Sequence, residues 1–323
     1  MEDRTIIVTG GAGFIGSAVV RELNTRGFSN IVIVDNLGHS EKWKNLVGKS
    51  FSDLIHKTDL FGWLSSQRTI HGIFHLGACT NTVETDAHYL LENNYRYTQR
   101  LAEFAISHTI PFLYASSAAT YGDGSQGFAD NHSALSSFIP LNMYGYSKHL
   151  FDLWAQRTGI LDQITGVKYF NVFGPNEWHK GRMASAILSF VKQVTASGSI
   201  KLFQSNHPSY KDGEQQRDFI YVKDVARITC DLFFSKASGI FNVGSGIPSS
   251  WNQLGRAVFQ ALKQPTRFEY IPMPKDLQGK YQNFTKADTT KIENIFHRQP
   301  CEYSLETAVA DYISHHILKE TRW

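Results

Sequence analysis

The chain has 323 residues, of which 42% are hydrophobic and 13% aromatic, enough to bury a large core and to form two domains. Its formal net charge of +3 indicates neither a nucleic-acid partner nor a membrane surface. The cysteines, Cys79, Cys230 and Cys301, are far apart and odd in number, which argues against a disulfide framework and for a reducing compartment. Met1–Arg4 runs directly into an apolar segment, and no apolar stretch is long enough to span a bilayer, so we expect a cytoplasmic protein.

Apolar strand-like runs alternate with helical patterns through the first half of the chain. The strands are predicted at Thr5–Thr9, Ile31–Val34, Gly72–His75, Phe112–Ala115 and Gly166–Tyr169, and the helices at Phe14–Arg26, Tyr89–His108 and Tyr144–Gln156. This alternation predicts an α/β fold with a Rossmann-type doubly wound parallel sheet. The shorter, Gly- and Pro-marked pieces after about residue 171 predict a smaller C-terminal α/β substrate domain over the carboxyl edge of the sheet.

Two domains follow from this pattern, with boundaries that interleave along the chain. We expect the Rossmann domain to comprise 1–170, joined by about 218–245 and 284–298. The substrate domain is expected to comprise mainly 171–323, namely about 171–217, 246–283 and 299–323.

A glycine-rich turn follows the first strand. Gly10, Gly11, Gly13 and Gly16 in TGGAGFIG satisfy G-x-G-x-x-G between a strand and a helix. This arrangement lets the backbone approach a pyrophosphate, with amide N–H groups at a helix N-terminus facing the anion. Because the second strand and a terminal Asp35 follow in the expected order, the sequence predicts a dinucleotide site.

The phosphate state of that dinucleotide is open from these residues alone. Asp35, at the end of the second strand, is typical of an acid that binds the ribose 2′-OH of NAD. Lys42 and Lys57 follow it, and either side chain suits a 2′-phosphate through charge-assisted hydrogen bonds. Solvated surface lysines are an equally good interpretation of the same pattern.

An acid–base pair is predicted on one helix. Tyr144 and Lys148 are four residues apart in YGYSK and therefore share a helix face. A neighbouring ammonium favours the phenolate and lowers the pKa of a tyrosine, and Lys148 can also hold a ribose. Ser117, in SSAATYG, would hydrogen-bond the reacting hydroxyl. Tyr146 is a rival tyrosine, but its spacing from Lys148 places it on another face.

These motifs together resemble the extended short-chain dehydrogenase/reductase superfamily, whose members act on nucleotide sugars. The resemblance runs over nearly the whole chain, through TGGAGFIG, DNL, FHLGA, NN, SSAATYG, YGYSK, FNVFGP, RDFIYVKDVA and FNVGSG. Ala118-Ala119-Thr120 stands where sugar dehydratases of the superfamily carry an extra acid, which argues against dehydration. LGACT, YASSAATYG, HKGRMAS and GKYQNFTKAD are most similar to the ADP-L-glycero-D-manno-heptose 6-epimerase family.

The resemblance implies epimerisation of ADP-D-glycero-D-manno-heptose to the L-glycero form at C6, which supplies the heptose of the lipopolysaccharide core. An epimerase that returns hydride to the opposite face needs a second acid/base. The family is interpreted as using a tyrosine and a loop lysine, which match Tyr144 and Lys180 here. From composition alone, Lys180 is better explained as an exposed loop lysine, or as one that neutralises the substrate diphosphate. His179 and Arg182 are the candidate cations that would lower its pKa.

The family's binding residues are carried over position by position. The resemblance implies tightly bound NADP, with NAD a weaker alternative, lined by Gly10, Gly11, Gly13, Phe14, Ile15, Gly16, Asp35, Asn36, Lys42, Lys57, Leu76, Gly77, Ala78, Cys79, Thr80, Asn93, Tyr144, Lys148, Val172 and Lys180. It implies substrate contacts from Ser117, Asn171, Arg182, Ser189, Phe203, Gln204, Arg217 and Tyr281. Arg182, Ser189 and Gln204 depart from the residues expected there, and the segment 205–216 is longer than the family's.

Two rival functions remain. One is another nucleotide-sugar epimerase, such as a UDP-hexose 4-epimerase, and the other is a non-catalytic NADP-sensing protein on the same fold. The resemblance implies a homo-oligomer, possibly a homopentamer, with no nucleic-acid or membrane partner. No metal site is predicted, because His71 and His75 lie too far apart on a strand and His315-His316 is expected to be solvated.

Overall fold

The computed structural model describes residues 5–66, 69–274 and 281–323, so Met1–Arg4 and the first two residues of GKYQNFTKAD lie outside it. Its strands are β1 Ile6–Thr9, β2 Ile31–Asp35, β3 Asp53–His56, β4 Gly72–His75, β5 Phe112–Ser117, β6 Thr165–Tyr169, β7 Asn171–Phe173, β8 Ile200–Phe203, β9 Gln216–Tyr221, β10 Gly239–Val243, β11 Pro248–Ser250 and β12 Phe268–Ile271.

Seven of these strands form one parallel sheet in the order β10-β6-β5-β4-β1-β2-β3. Every residue of β1, β2 and β4 is buried, as expected for strands covered on both faces by helices. The order reverses direction beside β1, so the carboxyl ends of β1 and β4 open a crevice where ligands bind in such folds. The predicted fold class is confirmed.

The helices are α1 Phe14–Thr25, α2 Leu60–Ser66, α3 Ala87–Leu90, α4 Tyr97–Ser107, α5 Met143–Arg157, α6 Ala186–Ser197, α7 Val222–Phe234, α8 Trp251–Ala261, α9 Thr290–Phe296 and α10 Leu305–Asp311. The long helix predicted at Tyr89–His108 is present, but Leu91–Arg96 within it is a π-helical turn. Such turns are frequent at functional sites. None of these helices has the length and apolar composition that crossing a bilayer requires.

Two small sheets lie beyond the large one. One is β11-β9-β7 and the other pairs β12 with β8 in parallel. Apolar side chains of α6, α7 and α8 pack in the same core as those of β1 and β6. The predicted residue limits of two domains stay a prediction.

Other features also differ from the sequence predictions, and the short helix α2 is one that was not predicted. The strand β3 was missed because its residues are exposed or half-buried and show no apolar run. The prediction that His315-His316 is solvated is wrong for His316, which is buried on the π-helical turn Tyr312–Ile317. Burial lowers the pKa of His316 to about 4. Within the described residues, no group of three His, Cys, Asp or Glu side chains is arranged to hold a metal ion.

Candidate active site

A cleft of about 470 Å³ opens at the carboxyl ends of β1, β2 and β4, and it is called the cofactor cleft below. Sixteen of the predicted cofactor residues line it: Gly10, Gly13, Phe14, Ile15, Gly16, Asp35, Asn36, Lys42, Lys57, Leu76, Gly77, Ala78, Cys79, Thr80, Asn93 and Lys180. Gly11 does not, because it is turned inward, where an added Cβ would lie 2.9 Å from Ile33.

The glycine turn is shaped for close backbone approach. Gly10 has a left-handed φ of 66°, and a Cβ there would lie 2.7 Å from the backbone of Gly77. A Cβ on Gly16 would lie 2.1 Å from the carbonyl oxygen of Gly10. A side chain at either position would break the turn that leads into α1. The turn therefore fits the pyrophosphate of a dinucleotide at the N-terminus of α1.

Asp35 is engaged by protein groups at the end of β2. One carboxylate oxygen accepts hydrogen bonds from the Asn36 N–H at 2.7 Å and from Lys42 Nζ at 2.6 Å. The other oxygen accepts from the Ala12 N–H at 2.9 Å. Lys57 lines the same end of the cleft and donates to Asn93 Oδ1 at 2.5 Å. The acid is thus neutralised by a lysine, and a second lysine lies nearby.

A second cleft of about 390 Å³, called the reaction cleft, adjoins the first through shared residues that include Phe14 and Lys180. Ser117, Tyr144 and Lys148 line it from β5 and α5. Lys180 enters from a different wall, the 3₁₀ turn Trp178–Met183. Asn171 and Val172 of β7 complete it. The structure brings all four predicted catalytic side chains to one cavity.

Tyr144 and Lys148 share a face of α5, whereas Tyr146 points to solvent with 45% of its surface exposed. Burial raises the pKa of Tyr144, and its hydrogen bond with Ser117 acts in the opposite direction. The Lys148 ammonium donates to the Ala115 carbonyl at 2.8 Å, and burial lowers its pKa to about 8. The predicted lowering of the tyrosine pKa by Lys148 stays a prediction.

Lys180 is half-buried, with its ammonium 5.4 Å from the ring centre of Phe14. Burial lowers its pKa, and the carboxylate of Glu177 opposes that change. The expectation that cations at His179 and Arg182 lower it is wrong. Burial lowers the pKa of His179 to about 4, so the ring is neutral at pH 7, and Arg182 is exposed.

A third cavity of about 290 Å³ adjoins the reaction cleft at Ser117, Tyr144 and Asn171. Arg217 is buried there, with its guanidinium 4.8 Å from the ring centre of Tyr281. A buried cation stacked on an aromatic ring is suited to an anionic group such as a diphosphate. These two predicted substrate residues therefore lie together.

Four predicted substrate residues lie outside these three cavities. Arg182 is exposed, and Ser189 is exposed on α6, where its hydroxyl accepts a hydrogen bond from Gln193. Phe203 is half-buried at the end of β8, and Gln204 follows it with an exposed side chain. Their predicted contacts with a nucleotide stay predictions.

Two positioning residues were missed by sequence reasoning. Asn94, buried in the π-helical turn, exchanges hydrogen bonds with the backbone of Cys79 at 2.8 and 2.9 Å and donates to Ser147 at 3.0 Å. Glu177, buried, closes the Lys180 loop by accepting from the N–H and the hydroxyl of Ser185, both at 2.6 Å. The NN doublet was a sequence signal for Asn94, whereas nothing in the sequence singled out Glu177.

The fold and the site define a nucleotide-cofactor enzyme of the short-chain dehydrogenase/reductase type. Residues 6–244 match the model of the NAD dependent epimerase/dehydratase family, and the chain belongs to that family. It is 48% identical over 321 residues to ADP-L-glycero-D-manno-heptose-6-epimerase from Nitratidesulfovibrio vulgaris strain DP4, covering 96% of this chain and 97% of that one.

Two further relatives bear the same name. The protein from Fusobacterium nucleatum subsp. nucleatum is 43% identical, with 98% of each chain covered. The crystal structure of the Helicobacter pylori enzyme superimposes with a TM-score of 0.80 at 28% identity, covering 97% of this chain and 96% of that one. The resemblance predicted from the motifs is confirmed.

Proposed function

We propose that this chain epimerises ADP-D-glycero-D-manno-heptose to ADP-L-glycero-D-manno-heptose at C6 and thereby supplies heptose for the lipopolysaccharide core. The names of relatives with 42–48% identity over nearly the whole chain support the substrate. The observation that carries the mechanism is that Tyr144 and Lys180 reach one cleft from different walls. Inversion at one carbon needs such a pair of acid/base groups.

The cofactor that fits the cofactor cleft supplies reversible hydride transfer at C6. The protein residues handle the proton of the C6 hydroxyl. In one orientation of the substrate, Ser117 hydrogen-bonds that hydroxyl and Tyr144 exchanges its proton. When the keto intermediate rotates in the cleft, its C6 oxygen moves to the opposite side of the substrate. There Lys180 exchanges the proton of the C6 hydroxyl. Burial lowers the pKa of Lys180, which favours this role near neutral pH.

NADP is the proposed form of the cofactor. The 2.6 Å ion pair with Lys42 neutralises Asp35, and both oxygens of this acid already accept backbone N–H groups. A neutralised acid does not repel a 2′-phosphate, and Lys42 with Lys57 provides cations at that end of the cleft. The predicted homo-oligomer remains part of this proposal.

Turnover of ADP-D-glycero-D-manno-heptose, followed by NMR of the C6 proton, tests the function. We expect interconversion of the two ADP-heptoses without net consumption of NADP, and a Lys180→Met protein that keeps NADP but loses most of this turnover. Turnover of UDP-hexoses in place of ADP-heptose would establish the 4-epimerase alternative. Binding of NADP without turnover of any nucleotide sugar would establish the sensing protein.

A further inference from the structure

A buried asparagine joins the cofactor cleft to the Lys180 loop. Asn45 lies on the 3₁₀ turn Glu41–Leu46, the same turn that carries Lys42. Its Nδ2 lies 3.0 Å from the Ala12 carbonyl in the glycine turn and 3.0 Å from the Asn176 carbonyl at the base of the Lys180 loop. It also lies 3.2 Å from Nδ1 of His179. One amide group therefore connects two segments that are 131 positions apart in the chain.

His179 lies against this amide at the Asn176 carbonyl. The two N–H protons of the Asn45 amide go to the carbonyls of Ala12 and Asn176, and the imidazole also hydrogen-bonds the Asn176 backbone. Asn45 and His179 therefore meet at one carbonyl group, that of Asn176. His179 directly precedes Lys180, so the orientation of this ring restrains the backbone from which the lysine extends.

The base of the loop is fixed from the other side as well. Asn176 is buried with a left-handed φ of 77°. Its side chain donates to the Trp323 carbonyl at 2.8 Å and to the Ser17 hydroxyl at 3.0 Å, and it accepts from the Trp323 N–H at 2.9 Å. Lys49 Nζ donates to the carbonyls of Asn45 and Trp323 at 2.7 and 2.6 Å. The asparagine pair is thus part of a buried network rather than a mobile surface contact.

We propose that Asn45 is a positioning residue that holds His179, and through it Lys180, in register with the glycine turn. The inference rests on the proposed acid/base role of Lys180. Displacing a catalytic group by about 1 Å costs on the order of 100-fold in rate, and Asn45 provides the side-chain link between the glycine turn and this loop. Because Lys42 lies on the same short turn, the phosphate-binding end of the cofactor cleft and Lys180 are held by one element.

Asn45→Ala tests the proposal against a matched control, Asn242→Ala. Asn242 is also fully buried and donates to two carbonyls, those of Phe128 and Asp288, but it lies on β10 away from the clefts. We expect Asn45→Ala to lower kcat by about 10- to 100-fold and to leave KM for the nucleotide sugar within about threefold of the unchanged protein. A Lys180 side chain that is held less firmly is more hydrated, and hydration raises its pKa. The limb of the pH–rate profile that reports Lys180 should therefore move to higher pH. Asn242→Ala should change neither kcat nor the profile.

His179→Ala tests the contact between Asn45 and His179 from the side of the Lys180 loop. It replaces Asn45→Ala as the test if that variant does not fold. The double variant should be no slower than the slower single variant, because both remove one contact. If Asn45→Ala and His179→Ala both match Asn242→Ala in kcat and in pH profile while Lys180→Met is inactive, this inference is wrong and the proposed function stands. Normal turnover by Lys180→Met would instead overturn the role of Lys180 and this inference with it.

Discussion

The Lys168 ammonium lies 2.5 Å from the Asp152 carboxylate, and both side chains are completely buried. Asp152 also accepts hydrogen bonds from the Tyr114 hydroxyl at 2.9 Å and the Ser116 hydroxyl at 2.7 Å. Asp152 therefore joins α5, which carries Tyr144 and Lys148, to β5, which ends at Ser117, and its ion pair with Lys168 adds the neighbouring strand β6. This ion pair, called the brace below, stabilises the packing of α5 against β5, the two elements that carry the acid–base residues.

Removing one member of this pair should be costly, because the other is left as an unpaired buried charge. We expect Lys168→Met to lower the free energy of unfolding by about 3 to 5 kcal/mol, measured by urea unfolding at pH 7. The double variant Asp152→Asn/Lys168→Met should recover part of that loss. A double variant whose loss equals the sum of the two single losses would contradict the pairing.

Tyr144 should be indispensable for turnover, since it reaches the reaction cleft beside Ser117. We expect Tyr144→Phe to lower kcat for ADP-heptose by about 10²- to 10⁴-fold, while NADP stays bound as measured by absorbance of the purified protein. Tyr146→Phe is the matched control, because that tyrosine is two positions away and exposed. Equal losses in the two variants would contradict the assignment.

Lys42 should distinguish NADP from NAD. Loss of one charge-assisted hydrogen bond to a 2′-phosphate costs about 1.5 to 3 kcal/mol, so Lys42→Ala should weaken NADP binding by about 10- to 100-fold. NAD binding should not weaken, because the variant frees Asp35 for a ribose hydroxyl. Calorimetric titration with both cofactors measures this. Lys44→Ala is the control, since Lys44 lies on the same turn but pairs with the exposed Glu41; an equal loss there would point to general electrostatics.

The features that could be predicted from sequence are those that depend on residues close together in the chain. The buried runs of β1 and β2, the glycine turn and the i,i+4 pair of Tyr144 and Lys148 are local patterns, and the structure has all of them. The brace and the hydrogen bonds of Asn45, by contrast, join residues that are far apart in the sequence. The strand GVKY contains Lys168, but its partner Asp152 lies 16 positions away on a helix, and nothing in the order of residues indicates that contact. Likewise, exposure of Arg182 depends on how its loop turns at Gly181, which has a φ of 54°.

Two glycines give a direct test of the turn that leads into α1. An alanine Cβ at Gly16 would lie 2.1 Å from a backbone oxygen that cannot move aside, so we expect Gly16→Ala to lose about 1 to 3 kcal/mol of stability and most NADP binding. Gly62 in α2 has no neighbour within 4 Å of an added Cβ. Gly62→Ala should therefore raise the free energy of unfolding by about 0.5 to 1 kcal/mol. Thermal unfolding with and without NADP measures the stability of each variant and its NADP binding. A Gly16→Ala protein that binds NADP normally would contradict the description of this turn.

His75 should make the stability of the protein depend on pH. It is buried between the hydroxyls of Thr9 at 2.7 Å and Thr98 at 2.9 Å, and burial lowers its pKa to about 3 from the ordinary 6.5. Between those values the unfolded chain binds a proton that the folded chain does not. Stability is therefore complete above pH 6.5 and is lost as the pH falls, by up to about 1.4 kcal/mol per pH unit.

Urea unfolding at pH 7, 6, 5 and 4 measures this slope. His75→Phe should be less stable at pH 7, because it leaves two hydroxyls without their partner, yet its slope below pH 6.5 should be shallower by the contribution of one histidine. The comparison of slopes separates the titration from the lost hydrogen bonds. His39→Gln, at an exposed position, should keep the slope of the unchanged protein. An unaltered slope in His75→Phe would show that His75 is not the group that destabilises the fold in acid.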